Sequence, residues 1–335
     1  MTEIAPLHIA QFGAGRIGQI HAANIAALKD ARLRYVVDVN ADAAHKLAVR
    51  HGAKVVSERE ALADREVDAV LIASSTDTHA RLAIAAARAG KAIFCEKPID
   101  LSLKKVDECL REVEKAQVPM FVGFNRRFDP SFAALKRRLD AGEVGAVEQV
   151  VISSRDPGPP PLAYVKVSGG MFRDMTIHDF DMARWLLGEE PVEVFAMGEC
   201  LVDRKIGAAG DIDSAMVLLR TASDRMCHIN NSRRAVYGYD QRIEVAGAKG
   251  MLCAENIGET TLEHFGAKGT VRDRPLDFFL ERYADAYRAE MSAFLRCLKE
   301  KTPMPVGARD GRQALVLAEA ALQSHRKKRP MRVDG

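Results

Sequence analysis

Three clusters in this 335-residue chain combine residue types at spacings that could do chemistry. The run Gly13-Ala14-Gly15-Arg16-Ile17-Gly18 spaces its glycines so that a turn can wrap a diphosphate at the positive end of a helix. In Glu96-Lys97-Pro98, the lysine can donate to a substrate hydroxyl, and its charge lowers the cost of an alkoxide as a hydride departs. In Arg173-Asp174-Met175-Thr176-Ile177-His178-Asp179-Phe180-Asp181, Asp174 and His178 are four apart and share a helical face. A histidine held by a carboxylate has a fixed tautomer and a favoured imidazolium, which suits a base taking a proton from an alcohol. The plain alternatives are a surface lysine before a turn and, for the histidine, a surface His–Asp pair or a satisfied core histidine. The preceding Ser168-Gly169-Gly170 argues for function, because glycines let a helix end approach another group closely. Asp174, His178 and Asp181 could also ligate a metal. No second histidine or cysteine stands at ligand spacing, so no metal is expected.

Each cluster needs an element to hold it. An apolar strand over 7–12 runs into the glycine loop and a helical pattern follows, the context that makes G-x-G-x-x-G informative. Gly13 would make the turn, Gly15 would admit the pyrophosphate and Gly18 would let helix and strand pack, with Arg16 and Ile17 in the same loop. Asp38 ends the second strand about 20 residues on, placed to accept both hydroxyls of an adenosine ribose. Its charge would repel a 2′-phosphate, and neither Val39 nor Asn40 supplies an arginine, so the expected cofactor is NAD rather than NADP. Ser74-Ser75-Thr76-Asp77-Thr78-His79 follows another strand, at the sheet edge where such folds bind ligands. Ser74, Thr76 and His79, with Glu96 and Lys97, are therefore candidate cofactor contacts. An N-cap role for Thr76 or Asp77 is compatible with this.

Over the first 124 residues, strands at 7–12, 33–37, 68–73, 92–95 and 120–123 alternate with helical patterns at 17–28, 41–50, 78–89 and 102–116. Nearly continuous apolar strands separated by helices predict a parallel, doubly wound sheet. From 125 to 335 the pattern changes. A helix over 130–140 precedes β-rich segments at 148–153, 191–198, 214–220, 226–231, 242–246 and 260–264. A helix over 173–187 interrupts them, helices over 277–299 and 310–325 close the chain, and the Pro-, Gly- and Ser-rich stretch 154–170 reads as a long loop. Long loops are often functional. The expected fold is α/β: an N-terminal Rossmann dinucleotide-binding domain (1–124) and a C-terminal α+β domain (125–335) with an open, mostly antiparallel sheet.

Composition narrows the function classes. Apolar content of 47% and charged content of 28% suit a soluble enzyme, and the chain is too hydrophobic for disorder. The formal net charge is +3, and the last ten residues alone hold five basic groups against Asp334. The body is thus near neutral, with no basic groove for nucleic acid. No apolar stretch reaches the length of a membrane span, and the start lacks a signal-peptide pattern. Cys95, Cys109, Cys200, Cys227, Cys253 and Cys297 are scattered singly, as expected of idle thiols in a reducing, cytoplasmic compartment.

The glycine loop, the Ser-Thr-Asp-Thr-His stretch, Glu-Lys-Pro and Asp-x-x-x-His-Asp-x-Asp together resemble the glucose–fructose oxidoreductase and inositol dehydrogenase (Gfo/Idh/MocA) family. The resemblance spans essentially the whole chain. Residues 122–129, 154–157 and 169–184 are similar to the bacterial inositol dehydrogenases within it. It implies NAD-dependent oxidation of myo-inositol to 2-keto-myo-inositol, with Lys97 contacting nicotinamide and substrate, His178 as base and Asp174 assisting it. It also places Asp156, Arg127, Tyr237 and Tyr283 at the polyol, implies a cis Lys97–Pro98 bond, and implies a homotetramer assembled through the open sheet face. Scyllo-inositol, D-chiro-inositol or glucose as substrate, and a nucleotide-binding regulator without turnover, remain the alternatives.

Overall fold

A computed structural model describes residues 5–333. Residues 1–4 and 334–335, which include the start read for a targeting signal and the end of the basic tail, lie outside the described residues. The chain forms two compact units, one of residues up to Asn125 with Tyr287–Gln313, the other of Arg126–Ala286 with the residues from Ala314 on.

The first unit contains a six-stranded sheet, β1 (Leu7–Phe12), β2 (Ala31–Val37), β3 (Lys54–Val55), β4 (Ala69–Ile72), β5 (Ala92–Cys95) and β6 (Met120–Val122). The order is β3-β2-β1-β4-β5-β6 and every pairing is parallel. All residues of β4, β5 and β6 are buried, as strands covered on both faces must be. The connecting helices are α1 (Arg16–Ala27), α2 (Ala41–His51), α3 (Glu58–Ala63), α4 (Thr76–Arg88) and α5 (Leu103–Ala116). β3 and α3 escaped the sequence reading because β3 is two exposed residues and α3 is short, held by a Ser57–Glu60 capping box. The unit is discontinuous in sequence. Val122 N–H donates to Val306 O (3.2 Å), and Phe294 meets Phe94 and Phe121 edge-on. Residues 287–313 therefore pack with the dinucleotide fold, where a single break near 124 would have left them with the second domain.

The second unit begins with α6 (Pro130–Asp140) and β7 (Val147–Arg155). Three helices follow, α7 (Leu162–Val165), α8 (Met171–Asp174) and α9 (Thr176–Leu187). Next come β8 (Pro191–Glu199), α10 (Arg204–Ala208), β9 (Ser214–Thr221), β10 (Met226–Ser232), β11 (Asp240–Gly247) and β12 (Gly250–Ala254). A hairpin, β13 (Glu263–Gly266) and β14 (Gly269–Arg272), stands apart from the main sheet. The chain closes with α11 (Phe279–Arg282), α12 (Ala284–Glu300), α13 (Ala308–Lys327) and β15 (Met331–Arg332). The sheet order is β12-β11-β7-β10-β9-β8-β15, antiparallel except between β7 and β10. Along β9 burial alternates strictly, so one face is core and the other is open.

Two expected helices are each divided. The pattern over 173–187 breaks at Met175 (φ −95°, ψ −60°), between α8 and α9. That over 277–299 breaks at Tyr283, between α11 and α12. The expected loop 154–170 starts inside β7 and contains the single turn α7.

Candidate active site

In the first unit, the glycine loop joins β1 to α1, and its three glycines differ in what surrounds them. Gly13 has φ +108°, and a Cβ there would stand 2.3 Å from Ala73 O. A Cβ on Gly18 would stand 2.2 Å from Gly13 O, whereas one on Gly15 would meet nothing within 4 Å. The turn and the helix packing thus exclude side chains, while space remains at Gly15 for a ligand. No side chain caps α1 and no acid lies in its first turn, so its leading amides suit a diphosphate. Exposed Arg16 and half-buried Ile17 form that turn. The fully buried Gln11 staples the loop, its Nε2 donating to Gly13 O (2.8 Å) and Gly18 O (2.9 Å). Asp38 stands just past β2, accepting from Ala14 N–H through Oδ2 (2.6 Å) and from Asn40 N–H through Oδ1 (2.7 Å). It therefore shapes the loop as well as presenting lone pairs, of which a carboxylate has about four. These residues fit a dinucleotide.

Around the Glu96-Lys97-Pro98 segment, the five expected cofactor contacts divide between surface and support. Lys97 is half-buried, and its bond to Pro98 is cis. His79 is buried, with Nδ1 2.9 Å from Pro98 O and Nε2 3.0 Å from Ser74 O, so its ring braces two loops. Ser74 and Thr78 join their hydroxyls at 2.6 Å, and Thr76 begins α4. Glu96 points inward, its Oε1 2.7 Å from Nε2 of the fully buried His21. Glu290 of α12, fully buried, completes a cluster with these two. Burial, with the Glu96 charge beside it, pushes the Glu290 carboxyl well above its ordinary range. Two ligands of one zinc ion stand about 3.3 Å apart. The shorter His21–Glu96 separation is that of a hydrogen bond.

In the second unit, the break at Met175 puts Asp174 at the end of α8 and His178 in the first turn of α9, both part-exposed. Asp174 Oδ1 accepts from Tyr164 Oη–H (2.7 Å) and Oδ2 from Arg233 Nη2 (3.1 Å). Asp156 N–H donates to Ser232 O (2.9 Å). Burial pushes the Asp156 carboxyl up to about 6, against Arg233 and Arg126 and reinforced by the Asp174 charge. Behind lies a buried polar network. Asn231 accepts from the Thr176 hydroxyl (2.6 Å) and donates to Asp179 (2.8 Å), which also pairs with Arg126 (2.5 Å).

The remaining expected polyol residues have protein partners too. Arg127 grips Asp181 through Nε (2.8 Å) and Nη2 (2.5 Å), both residues buried, which makes its first role the support of α9. Tyr283 is buried and donates to Gln241 Oε1 (3.0 Å). Tyr237 stays part-exposed, donating to Asp240 (2.6 Å) and accepting from Arg155 (3.0 Å). Gln11, His21, Glu290, Tyr164 and Arg233 were not singled out in the sequence. The pair Arg233-Arg234 carries no sign of which arginine turns inward.

Residues 7–124 match the model of the NAD-binding Rossmann-fold oxidoreductase family, and residues 132–253 match the Gfo/Idh/MocA C-terminal domain. The chain belongs to the Gfo/Idh/MocA family. It is 48% identical over 330 residues to the myo-inositol 2-dehydrogenase of Thermotoga maritima, covering 98% of this chain and 99% of that one. It is 50% identical over 323 residues to an inositol 2-dehydrogenase of Rhizobium meliloti, covering 96% and 97%. The crystal structure of a myo-inositol dehydrogenase from Corynebacterium glutamicum superposes with a TM-score of 0.94 at 43% identity, covering 98% and 99%. The cofactor is NAD.

Proposed function

We propose that this Gfo/Idh/MocA enzyme oxidises myo-inositol at one secondary hydroxyl to 2-keto-myo-inositol. Near full-length similarity to inositol 2-dehydrogenases, together with a half-buried histidine four residues from an anchored carboxylate, carries the reading. When bound, NAD supplies the nicotinamide ring that accepts the hydride. The chain's residues do the rest. Lys97 donates to the reacting hydroxyl and stabilises developing negative charge on its oxygen. His178 takes the hydroxyl proton, and Asp174 stabilises the imidazolium. Asp156, Tyr237 and Tyr283 bind the other ring hydroxyls, with Arg127 supporting the site through Asp181. Buried polar groups of this kind reject analogues lacking the matching hydroxyl.

The open sheet face supports self-association. Met197, Met216 and Leu218 are 63%, 57% and 54% exposed there, and Met197 stands directly opposite Met216. Such an apolar surface suits a homotetramer. Single, free cysteines support a cytoplasmic setting, and no described helix is long and apolar enough to cross a membrane. The reading is tested by initial rates of NAD reduction with myo-inositol, scyllo-inositol, D-chiro-inositol and glucose. Highest kcat/KM with myo-inositol is expected; preference for another polyol would move the substrate, and silence with all would leave only nucleotide binding.

A further inference from the structure

The break at Met175 removes the simplest way of aiming Asp174 at His178, a shared face of one continuous helix. Two side chains from outside those helices take over. Tyr164, on α7 in the stretch 154–170, donates to Asp174 Oδ1 (2.7 Å). Arg233, just past β10, donates from Nη2 to Oδ2 (3.1 Å). Each oxygen thus accepts from a donor, and a carboxylate bound at both oxygens cannot swing about its χ2 bond. Arg233 is only 2% exposed, and its backbone is pinned by N–H donation to Asp213 O (2.8 Å). Its fixed positive charge acts on both Asp174 and Asp156, so two neighbouring carboxylates share one guanidinium. Tyr164 is 47% exposed, which makes its hydroxyl removable without opening a core cavity.

We propose that Tyr164 and Arg233 are positioning residues of the dehydrogenase, holding Asp174 oriented so that it can stabilise the imidazolium of His178. The inference rests on the function proposed above. Without Arg233, Asp174 loses the donor on Oδ2, and it faces Asp156 with less compensation. A carboxylate free to turn no longer favours proton transfer to the histidine. Without the Tyr164 hydroxyl, the carboxylate loses its anchor on Oδ1.

A double-mutant cycle tests this. Wild type, Tyr164→Phe, Asp174→Asn and the double variant are compared for kcat and KM with myo-inositol and for NAD affinity, using single-turnover rates for slow variants. A hydrogen bond to a charged acceptor is worth enough to lower kcat by about tenfold in Tyr164→Phe. KM and NAD affinity should change little, and in the Asp174→Asn background the substitution should have no further effect. Arg233→Met should cost more than Tyr164→Phe, and Arg233→Lys should recover part of the loss. Wild-type kcat in Tyr164→Phe, or an undiminished loss in the Asp174→Asn background, would overturn the inference alone. No turnover of any polyol by the wild type would remove the proposed function and this inference with it.

Discussion

The glycine loop and the Asp174 cluster are built in opposite ways. The loop presents backbone: one turn and one helix end, contiguous in sequence, stapled by Gln11 and Asp38. The Asp174 cluster works through side chains brought from β7, α7, α8, α9 and the segment after β10. A backbone site depends on glycine where a side chain would collide. A side-chain site depends on buried charges that must be matched in pairs. The first fails by steric strain and the second by leaving a charge without its partner.

The largest effect on stability is expected at Arg127. Replacing it with Met leaves the Asp181 carboxylate buried without its bidentate partner, which costs about 3–5 kcal/mol. Urea unfolding reads this directly. Unchanged stability with a raised KM for inositol would return Arg127 to the substrate. Gly13→Ala should cost about 1–3 kcal/mol from its backbone conformation alone, and more from the collision with Ala73 O. Gly15→Ala, with open space around it, should melt like the wild type and lose NAD affinity. Equal melting losses in the two variants would erase the distinction between turn and ligand cradle.

The smallest effect lies in the buried acid beneath the Lys97 loop. In the fold, burial and the Glu96 charge raise the Glu290 carboxyl well above the ordinary 4.5 at which it ionises in the unfolded chain. Unfolding therefore releases a proton, and this group makes stability fall as pH rises above that value. Glu290→Gln mimics the neutral acid and should flatten the alkaline decline while matching wild type near pH 4. A steeper decline in the variant would mean that Glu290 is charged in the fold.

What could be read in advance follows the same division. The strand–glycine–helix unit and Asp38 were legible because the interactions are local and the residue types nearly obligatory. Lys97 and His178 were visible as types, but not the groups behind them. Glu96 and His79 stand in the expected places with side chains turned to support, because a sheet edge has an inner and an outer side that one dimension does not distinguish. Tyr164 and Arg233 lie 10 and 59 residues from Asp174, a relation that only the folded β7–β10 pairing and the α7 turn create. The break at Met175 was hidden because the apolar pattern of α9 runs through it. Residues 287–300 look like any amphipathic helix, and nothing in their periodicity names the unit they pack against.

The most direct measurement is the turnover of His178→Ala with myo-inositol and NAD, paired with NAD affinity by fluorescence titration. Loss of a general base should lower kcat by about 10²–10⁴-fold, with NAD affinity close to wild type, because the glycine loop and Asp38 are untouched. Wild-type turnover in this variant would contradict the assignment of the proton to His178. It would also remove the reason for Asp174 to be held as it is.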